Sequence, residues 1–359
     1  IYERFDTHRK VARLPGPPYH FMSRIAKVEG EMGIAKAGAK VEVEYDVPSD
    51  AWYFEENGAA VMPYSVLMEA ALQPCGWLAS YIGCALLTEE DLLFRNLDGK
   101  ATAHAEIGHD TALLRTKAHL KSFSRTGTMI IVAFDVALFA VSREGQETLA
   151  YSLDTVFGFF PTSAFDNQAG LPISAEQKAL YEAKTLNPIA LAERPMALTQ
   201  GTARLANPFL LMLDRVTHFD PHGGKAGKGA LRAEKDVNPG EWFFRAHFFQ
   251  DPVQPGSLGV EAMCQLLQLA MLKLDLHTGM TSPRFEAVGT GLPHVWKYRG
   301  QVVPSNRTIG CTVEVLEIGK DARGVFAKAD ASLWVDGKRI YDAKGLAMRL
   351  VDDATHATK

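Results

Sequence analysis

The sequence repeats itself, and from Pro63 and Pro255 onward the matched residues differ by 192 positions. The segment 51–73 (AWYFEENGAAVMPYSVLMEAALQ) returns as 241–265 (EWFFRAHFFQDPVQPGSLGVEAMCQ), which places Glu69 over Glu261. Self-similarity at a fixed period indicates that one structural unit occurs twice. We therefore predict two related domains, at 1–158 and 203–359, joined by a connector at 159–202.

Each copy is predicted to contain a long buried helix followed by strands. In the second copy, SLGVEAMCQLLQLAMLKLDL is apolar nearly all round, which predicts an enclosed helix from about Ser257 to Leu276 with Ser257 as its N-cap. A corresponding helix follows Pro63, but Pro74 lies inside it and is predicted to kink or divide it. The connector should carry a short helix that opens with a capping box from Ser174 to Gln177.

The later part of each copy predicts antiparallel strands. Segments such as RTIGCTVEVLEI and VFAKADASLWV are rich in β-branched residues, and Asp336-Gly337 is a strong hairpin signal. The apolar run Met129 to Val141 is too short to cross a bilayer as a helix, and we interpret it as core strands. One long helix before several strands predicts an α+β fold in which the sheet wraps the helix, and two such sheets can join edge to edge.

Composition narrows the class of protein. The 359 residues are 47% hydrophobic and 22% charged with a net charge of -4, which is typical of a soluble globular protein without a basic face for nucleic acid. We expect neither nucleic-acid binding nor membrane insertion. The cysteines form no CxxC or paired spacing, which argues against a zinc site or disulfide scaffold and favours a cytoplasmic location: Cys75, Cys84, Cys264 and Cys311. The termini suggest a segment of a longer polypeptide.

Four stretches of the second copy carry a family resemblance. LLMLDRV, WFFRAHFFQDPVQPGSLGVEAMCQL, VWKYRGQVVP and VDGKRIY closely resemble bacterial β-hydroxyacyl-[acyl-carrier-protein] dehydratases of the hydroxydecanoyl dehydratase/isomerase type, which have the hotdog fold. The tandem arrangement, with FGFFP and NQAGLP in the connector, resembles the dehydratase segments of polyunsaturated fatty acid synthases. The resemblance implies a double hotdog, with acyl carrier protein and neighbouring synthase domains as partners and a homodimer as a further expectation.

The same resemblance implies a composite active site. His247 falls on the family's histidine and Glu261 on its acidic residue. In hotdog dimers the histidine of one unit faces the acidic residue of the other, which implies that His247 lies opposite Glu69. The first copy has no histidine at the matching position, so that Glu261 would be a relic or a structural acid; the residues that remain there are Glu55, Glu56 and Asn57.

These residue types suit the dehydration of a 3-hydroxyacyl thioester. A histidine whose pKa is near neutral can take the C2 proton. A carboxylic acid that apolar surroundings keep protonated, such as those of Glu69, can protonate the departing hydroxyl. Gln73 is one helical turn from Glu69 and is predicted to orient it, and Gln265 has the same relation to Glu261.

The turn before the second helix is predicted to hold the thioester oxygen. A helix start offers a backbone N–H and a positive dipole end, and the resemblance assigns this role to the N–H of Gly256. No metal or organic cofactor is expected, because the substrate would be carried on the phosphopantetheine arm of the carrier protein.

Several alternatives remain open. Isomerising members of the family carry aspartate where both copies have glutamate, so dehydration to the 2-enoyl thioester is the main expectation and double-bond isomerisation the lesser one. A catalytically silent acyl-binding module and a hotdog thioesterase are the competing functions. The HxxxD spacing of His247 and Asp251 occurs in acyltransferases, but we predict a turn-forming role for Asp251. The remaining histidines are expected to be structural or solvated: His8, His20, His104, His109, His119, His218, His222, His277, His294 and His356.

Overall fold

The computed structural model describes residues 11–353, and its strands and helices follow the repeat. The first half contains β1 (Arg24–Glu29), β2 (Lys40–Asp46), α1 (Trp52–Glu56), α2 (Tyr64–Tyr81), β3 (Leu92–Ala103), β4 (Thr111–Thr126), β5 (Met129–Ser142) and β6 (Glu147–Pro161). The connector contains α3 (Ala175–Tyr181), β7 (Ile189–Ala190) and α4 (Met196–Thr199). The second half contains β8 (Arg215–Asp220), β9 (Ala230–Asp236), α5 (Trp242–Ala246), α6 (Gly256–Lys273), β10 (Pro283–Phe285), β11 (His294–Tyr298), β12 (Thr308–Lys320), β13 (Val325–Val335) and β14 (Lys338–Asp352).

The strands form one antiparallel sheet. Their order is β1-β2-β4-β5-β6-β3-β11-β14-β13-β12-β9-β8-β7, and β10 pairs with β14 outside this path. The sheets of the two halves meet where β3 pairs with β11, so neither half has an open edge there. Helices α2 and α6 are buried against this sheet and contact each other. The predicted α+β class, with two helix-wrapping sheets joined edge to edge, is therefore confirmed.

The seam between the halves depends on a glycine. Gly99 of β3 lies opposite Trp296 of β11, and a Cβ atom built on Gly99 would be 2.0 Å from the Trp296 ring. The indole lies across the seam and donates its Nε1–H to the Asn96 side chain at 2.8 Å. Only glycine leaves room for this contact, because any Cβ would occupy the space of the ring.

Helix α2 runs through Pro74 without dividing, so of the two predicted outcomes, a kink or a division, the division is wrong. Proline removes one N–H from the helix and leaves the carbonyl four residues earlier without its usual donor. That carbonyl belongs to Ala70, and the hydroxyl of Thr116 on β4 donates to it at 3.1 Å. A hydrogen bond from the sheet thus replaces the missing helical one.

Helix α6 begins one residue earlier than predicted. Pro255, not Ser257, occupies the N-cap position, and Gly256 is the first helical residue. The prediction of Ser257 as N-cap is wrong because its hydroxyl is used elsewhere: it donates to Glu69 of the first half at 2.7 Å.

The same helix ends three residues before the predicted Leu276. Asp275 has a φ of +54°, which stops the helix in the left-handed conformation. The N–H of Asp275 donates to the carbonyl of Leu272 at 3.1 Å, and that of Leu276 to the carbonyl of Met271 at 3.0 Å. These two bonds form a Schellman motif, which satisfies the last carbonyls of the helix.

Three smaller predictions have clear outcomes. The capping box at Ser174 is confirmed, with its hydroxyl accepting from the N–H of Gln177. Asp336 and Gly337, at φ +49° and +85°, form the predicted hairpin turn between β13 and β14. The apolar run that begins at Met129 forms the single strand β5. The domain boundaries stay predictions, although β6 continues to Pro161, beyond the predicted boundary at 158.

The apolar segments and the cysteines are buried in the core. The stretch 64–87 is long and apolar enough for a membrane span by length and composition, but 67% of its most apolar window is buried, as in a core helix. All four cysteines are free and buried. Within residues 11–353, no group of three or more His, Cys, Asp or Glu side chains is placed to hold a metal ion.

Candidate active site

His247 begins a loop whose backbone is unusual. It is the C-cap of the short helix α5, and Phe248 and Gln250 after it have φ of +53° and +59°. Left-handed backbone at a bulky residue such as phenylalanine is rare and tends to occur at functional sites. The Phe248 ring stacks on the imidazole with ring centroids 4.0 Å apart. The loop therefore holds His247 against an aromatic wall.

The hydrogen bonding of His247 leaves one ring nitrogen free to act as a base. Nδ1 lies 2.9 Å from the carbonyl oxygen of Val253, which can only accept, so Nδ1 carries the hydrogen. Nε2 is then the unprotonated nitrogen. The side chain is buried, and this burial lowers the pKa of His247 to about 4, which keeps the ring neutral at physiological pH.

An ion pair ties the His247 loop to the other half. Arg95 of β3 donates to both carboxylate oxygens of Asp251, at 2.5 and 2.9 Å, and also to the Gln301 side chain. The two charged side chains are only 11% and 13% exposed. The sequence predicted a turn-forming role for Asp251, and the structure adds this contact between the halves, which the sequence did not show.

Glu69 lies in the middle of α2 with both carboxylate oxygens engaged. Ser257 of α6 donates to Oε1 at 2.7 Å, and Gln73 donates to Oε2 at 3.2 Å, as predicted from its spacing. Gln73 is itself fixed by the backbone N–H of Phe21 and the backbone carbonyl of Tyr19. Burial raises the pKa of Glu69, which favours the protonated acid.

His247, Glu69 and Gly256 line one cavity. Gly256 is the first residue of α6, so its N–H has no acceptor within the helix. A Cβ atom on Gly256 would lie 2.6 Å from the Tyr298 ring, which explains the absence of a side chain at this position. The structure therefore brings the predicted base, the predicted acid of the other half and the predicted oxyanion donor to one cavity.

The cavity continues from Glu69 along one face of α2. The lining residues Leu72, Gly76 and Ser80 follow at helical spacing, and a helix that rises 1.5 Å per residue covers about 16 Å from position 69 to 80. The opposite wall is formed by the sheet, with the aromatic side chains Phe94, Phe157 and Phe159. This part of the cavity is an apolar channel suited to an extended alkyl chain.

Comparison with known proteins agrees with this geometry. The model of the FabA-like domain family matches residues 205–344. The second half is therefore similar to the FabA-like domain family. A polyunsaturated fatty acid synthase polypeptide of Thraustochytrium sp. is 33% identical over 327 residues, which cover 86% of this chain and 21% of that protein. The chain thus spans about a fifth of the length of this relative, and the resemblance predicted from the sequence is confirmed.

Solved structures with low sequence identity share the fold. The dehydratase domain of the CurF module of curacin polyketide synthase has a TM-score of 0.53 at 12% identity, with 94% of this chain and 100% of that chain covered. The dehydratase domain of RzxB from Pseudomonas fluorescens has a TM-score of 0.52 at 12% identity, covering 92% and 98%. A putative oleoyl thioesterase from Lactobacillus plantarum has a TM-score of 0.50 at 10% identity, covering 88% and 98%. The fold is therefore a double hotdog, and it occurs with more than one activity.

The second composite site, which pairs the first half with Glu261 of the second half, lacks the histidine. Asn57 is the C-cap of α1, as His247 is of α5, which settles the choice among the three candidate positions. Its side-chain amide donates to the carbonyl of Val61 at 2.8 Å, so it repeats the contact that His247 makes with its own loop. A side-chain amide such as that of Asn57 cannot serve as a general base at physiological pH.

The second site is also filled by side chains. Tyr64 occupies the helix position that corresponds to Gly256, and its hydroxyl bonds to Tyr151 at 2.8 Å and to Nε2 of His294. Glu261 accepts from the backbone N–H of Ser65 at 3.0 Å and from Gln265 at 3.3 Å, and it does not line the cavity around His247. The surroundings of Glu261 are those of a hydrogen-bonded buried acid. Its predicted role, like those of the other candidates, stays a prediction.

Among residues 11–353, no other histidine lines the cavity around His247. His119 pairs with Asp135 on the sheet, and His104 bonds to Ser152. The predictions for His8 and His356 lie outside the described residues.

The sequence did not indicate that the polar side chains of Tyr298 and Gln254 line the cavity. Within the part of the chain that the structure describes, the hydroxyl of Tyr298 and Oε1 of Gln254 are buried without a hydrogen-bond partner, and both residues line the cavity. Tyr298 lies in the quoted segment VWKYRGQVVP, where strand alternation alone gave no reason to prefer tyrosine over phenylalanine. Unpaired buried polar atoms are rare in folded proteins and need a physical explanation.

Proposed function

We propose that this chain dehydrates 3-hydroxyacyl thioesters to 2-enoyl thioesters in the cavity between its two halves, with the substrate carried by an acyl carrier protein. One observation carries the proposal: a neutral histidine and a carboxyl group with a raised pKa, from different halves, line the same buried cavity. The FabA-like match and the similarity to a polyunsaturated fatty acid synthase polypeptide support it. The partners are neighbouring domains of a larger synthase, with homodimer formation and a cytoplasmic location as further parts of the proposal.

The first chemical step is proton removal. The substrate enters with its alkyl chain along α2 and its thioester at the start of α6. Nε2 of His247 takes the proton from C2, and the electron pair of that C–H bond moves toward the carbonyl, so that negative charge develops on the thioester oxygen. The N–H of Gly256 and the positive end of α6 stabilise that charge.

The second step is loss of the hydroxyl group. As the C2=C3 double bond forms, the C3–O bond breaks, and Glu69 gives its proton to the departing oxygen, which leaves as water. His247 is then an imidazolium and Glu69 a carboxylate. Transfer of one proton from His247 to Glu69, directly or through water, restores the starting state without a cofactor.

Isomerisation of the double bond from C2 to C3 is a subordinate part of the proposal. It requires a second proton to be removed at C4 and one to be returned to C2. A single base close to C2 and C4 is sufficient in principle, and the same product analysis detects a 3-enoyl product.

The decisive experiment is turnover of a 3-hydroxyacyl thioester by the wild type and three variants. His247→Ala and Glu69→Gln should lose at least about a hundredfold in kcat, since general acid–base groups contribute about 10²–10⁴-fold. Glu261→Gln is the matched control, because it removes an equivalent glutamate outside the cavity and should retain activity.

The product distinguishes the competing functions. A free acid in place of the enoyl thioester would identify a thioesterase, and binding without any product would identify an acyl-binding module. Loss of activity in Glu261→Gln together with an active Glu69→Gln would refute the composite site between the halves.

A further inference from the structure

Tyr298 presents an unsatisfied hydroxyl to the cavity. The residue ends β11, and its ring packs against the start of α6, where a Cβ on Gly256 would be 2.6 Å from Cε2 and 3.0 Å from Cζ. Its side chain is almost completely buried, with 5% of the residue exposed, and its hydroxyl has no hydrogen-bond partner among residues 11–353. Because Cζ carries the hydroxyl, this oxygen lies close to the first turn of α6.

An unpaired buried hydroxyl lowers the stability of the folded protein, because no hydrogen bond compensates for its removal from water. Leaving such a group unsatisfied costs about 1–3 kcal/mol, whereas phenylalanine would fill the same space without this penalty. Tyr341, whose ring lies 4.4 Å from that of Tyr298, supports the ring and leaves the hydroxyl unpaired. A ligand atom in the cavity is the partner that this arrangement lacks.

The hydroxyl is suited to donate to an oxygen. Burial raises the pKa of Tyr298 far above its ordinary value, so the group keeps its proton. Oε1 of Gln254, which is also unpaired in the described part of the chain, is an acceptor and cannot stabilise a negative oxygen. The Ser257 hydroxyl already donates to Glu69, and the proton of Glu69 is assigned to the departing hydroxyl group, so neither is available to the carbonyl oxygen.

We propose that the Tyr298 hydroxyl donates a hydrogen bond to the thioester carbonyl oxygen of the substrate, as a second donor beside the N–H of Gly256. This inference rests on the proposed function for its effect on rate, since the hydrogen bond strengthens as negative charge develops on that oxygen. The binding of a thioester carbonyl does not depend on turnover and can be tested separately.

The test uses Tyr298→Phe, which removes only the hydroxyl. With a 3-hydroxyacyl N-acetylcysteamine thioester, we expect kcat to fall by about 10²–10³-fold, the usual effect of removing one oxyanion donor, with a much smaller change in KM. The melting temperature should stay the same or rise, because the variant loses an unsatisfied polar group. A fall in melting temperature together with the fall in kcat would instead indicate a structural role and overturn the proposal.

Tyr151→Phe is the matched control. Tyr151 is also a fully buried tyrosine, but its hydroxyl bonds to Tyr64 and does not line the cavity. We expect this variant to lose stability and to keep its kcat within about twofold, because a paired hydroxyl is removed away from the substrate.

A binding measurement keeps the proposal separate from the proposed function. Calorimetry would compare a saturated acyl thioester with the corresponding thioether, which lacks the carbonyl oxygen. The wild type should bind the thioester more tightly than the thioether. In Tyr298→Phe the ratio of the two affinities should be about three- to tenfold smaller, which corresponds to one neutral hydrogen bond. If Tyr298→Phe keeps the preference of the wild type, the Tyr298 proposal is refuted even when the wild type dehydrates the substrate. If Tyr298→Phe loses the preference but the wild type does not dehydrate, only the proposed function is refuted.

Discussion

The contact between Arg95 and Asp251 should contribute more to the stability of the protein than its surface ion pairs do. The substitution Asp251→Asn keeps the shape of the side chain and removes the charge that accepts two hydrogen bonds from Arg95. The pair joins residues 156 positions apart and is only 11% and 13% exposed. Loss of one partner of a buried pair costs about 3–5 kcal/mol and of an exposed pair below about 1 kcal/mol, so we expect a loss of about 2–3 kcal/mol.

A double-mutant cycle measures this contribution. The free energy of unfolding would be determined by urea denaturation for Asp251→Asn, Arg95→Gln and the double variant, and the coupling energy should be about 2 kcal/mol. The pair Lys121 and Asp154 is the control, because it has a similar distance of 2.7 Å but is 48% and 64% exposed. Its coupling energy should stay below about 1 kcal/mol.

The same variants connect stability to catalysis. Asp251 lies in the loop that positions His247, so its loss should also reduce kcat, by about tenfold or more, while His247 itself is unchanged. A coupling energy no larger than that of the surface pair, or full activity in Asp251→Asn, would show that the His247 loop is held by its own packing and that our reasoning is wrong.

Three further predictions concern pH, the seam and the channel. Because the folded pKa of His247 is lowered from 6.5 to about 4, stability should fall as pH decreases through this range, and kcat/KM should fall near its lower end. The folded pKa of Glu69 is raised, so activity should be lost as pH rises through that pKa; a pH–rate profile of the wild type without these two limbs would contradict the assignment. Gly99→Ala should cost at least about 2 kcal/mol in urea denaturation, because its Cβ would overlap the indole at the seam; a change below about 0.5 kcal/mol would contradict this. Gly76→Val should shift kcat/KM toward shorter acyl chains, because a Cβ there would be 3.2 Å from the Phe94 ring inside the channel; unchanged chain-length preference would place the alkyl chain elsewhere.

Much of the fold was predictable because its signals are local or repeated. The offset that places Glu69 over Glu261 predicted two equivalent units, and the apolar helix followed by alternating strands predicted a sheet wrapped around each helix. The resemblance of the second copy then indicated His247 and Gly256. These features follow from residue order alone, and the structure places them as expected in one cavity with Glu69.

Other features required the folded chain. The continuity of α2 past Pro74 depends on a hydroxyl of β4, and the role of Ser257 depends on a carboxyl group 188 positions away. No local pattern contains this information, because each contact is made between elements that meet only when the chain folds.

The site itself shows the same division. The sequence determined which residue types are present in each copy: a histidine in one half only, a glutamate in both, and a glycine or a tyrosine at the start of the helix. The tertiary structure decided which of them share a cavity. It placed Glu69 with His247, closed the second site around Tyr64, and left the hydroxyl of Tyr298 unpaired in the cavity. Residue identity fixes the chemistry that is available, whereas burial and distance, which arise only from packing, fix where that chemistry can occur.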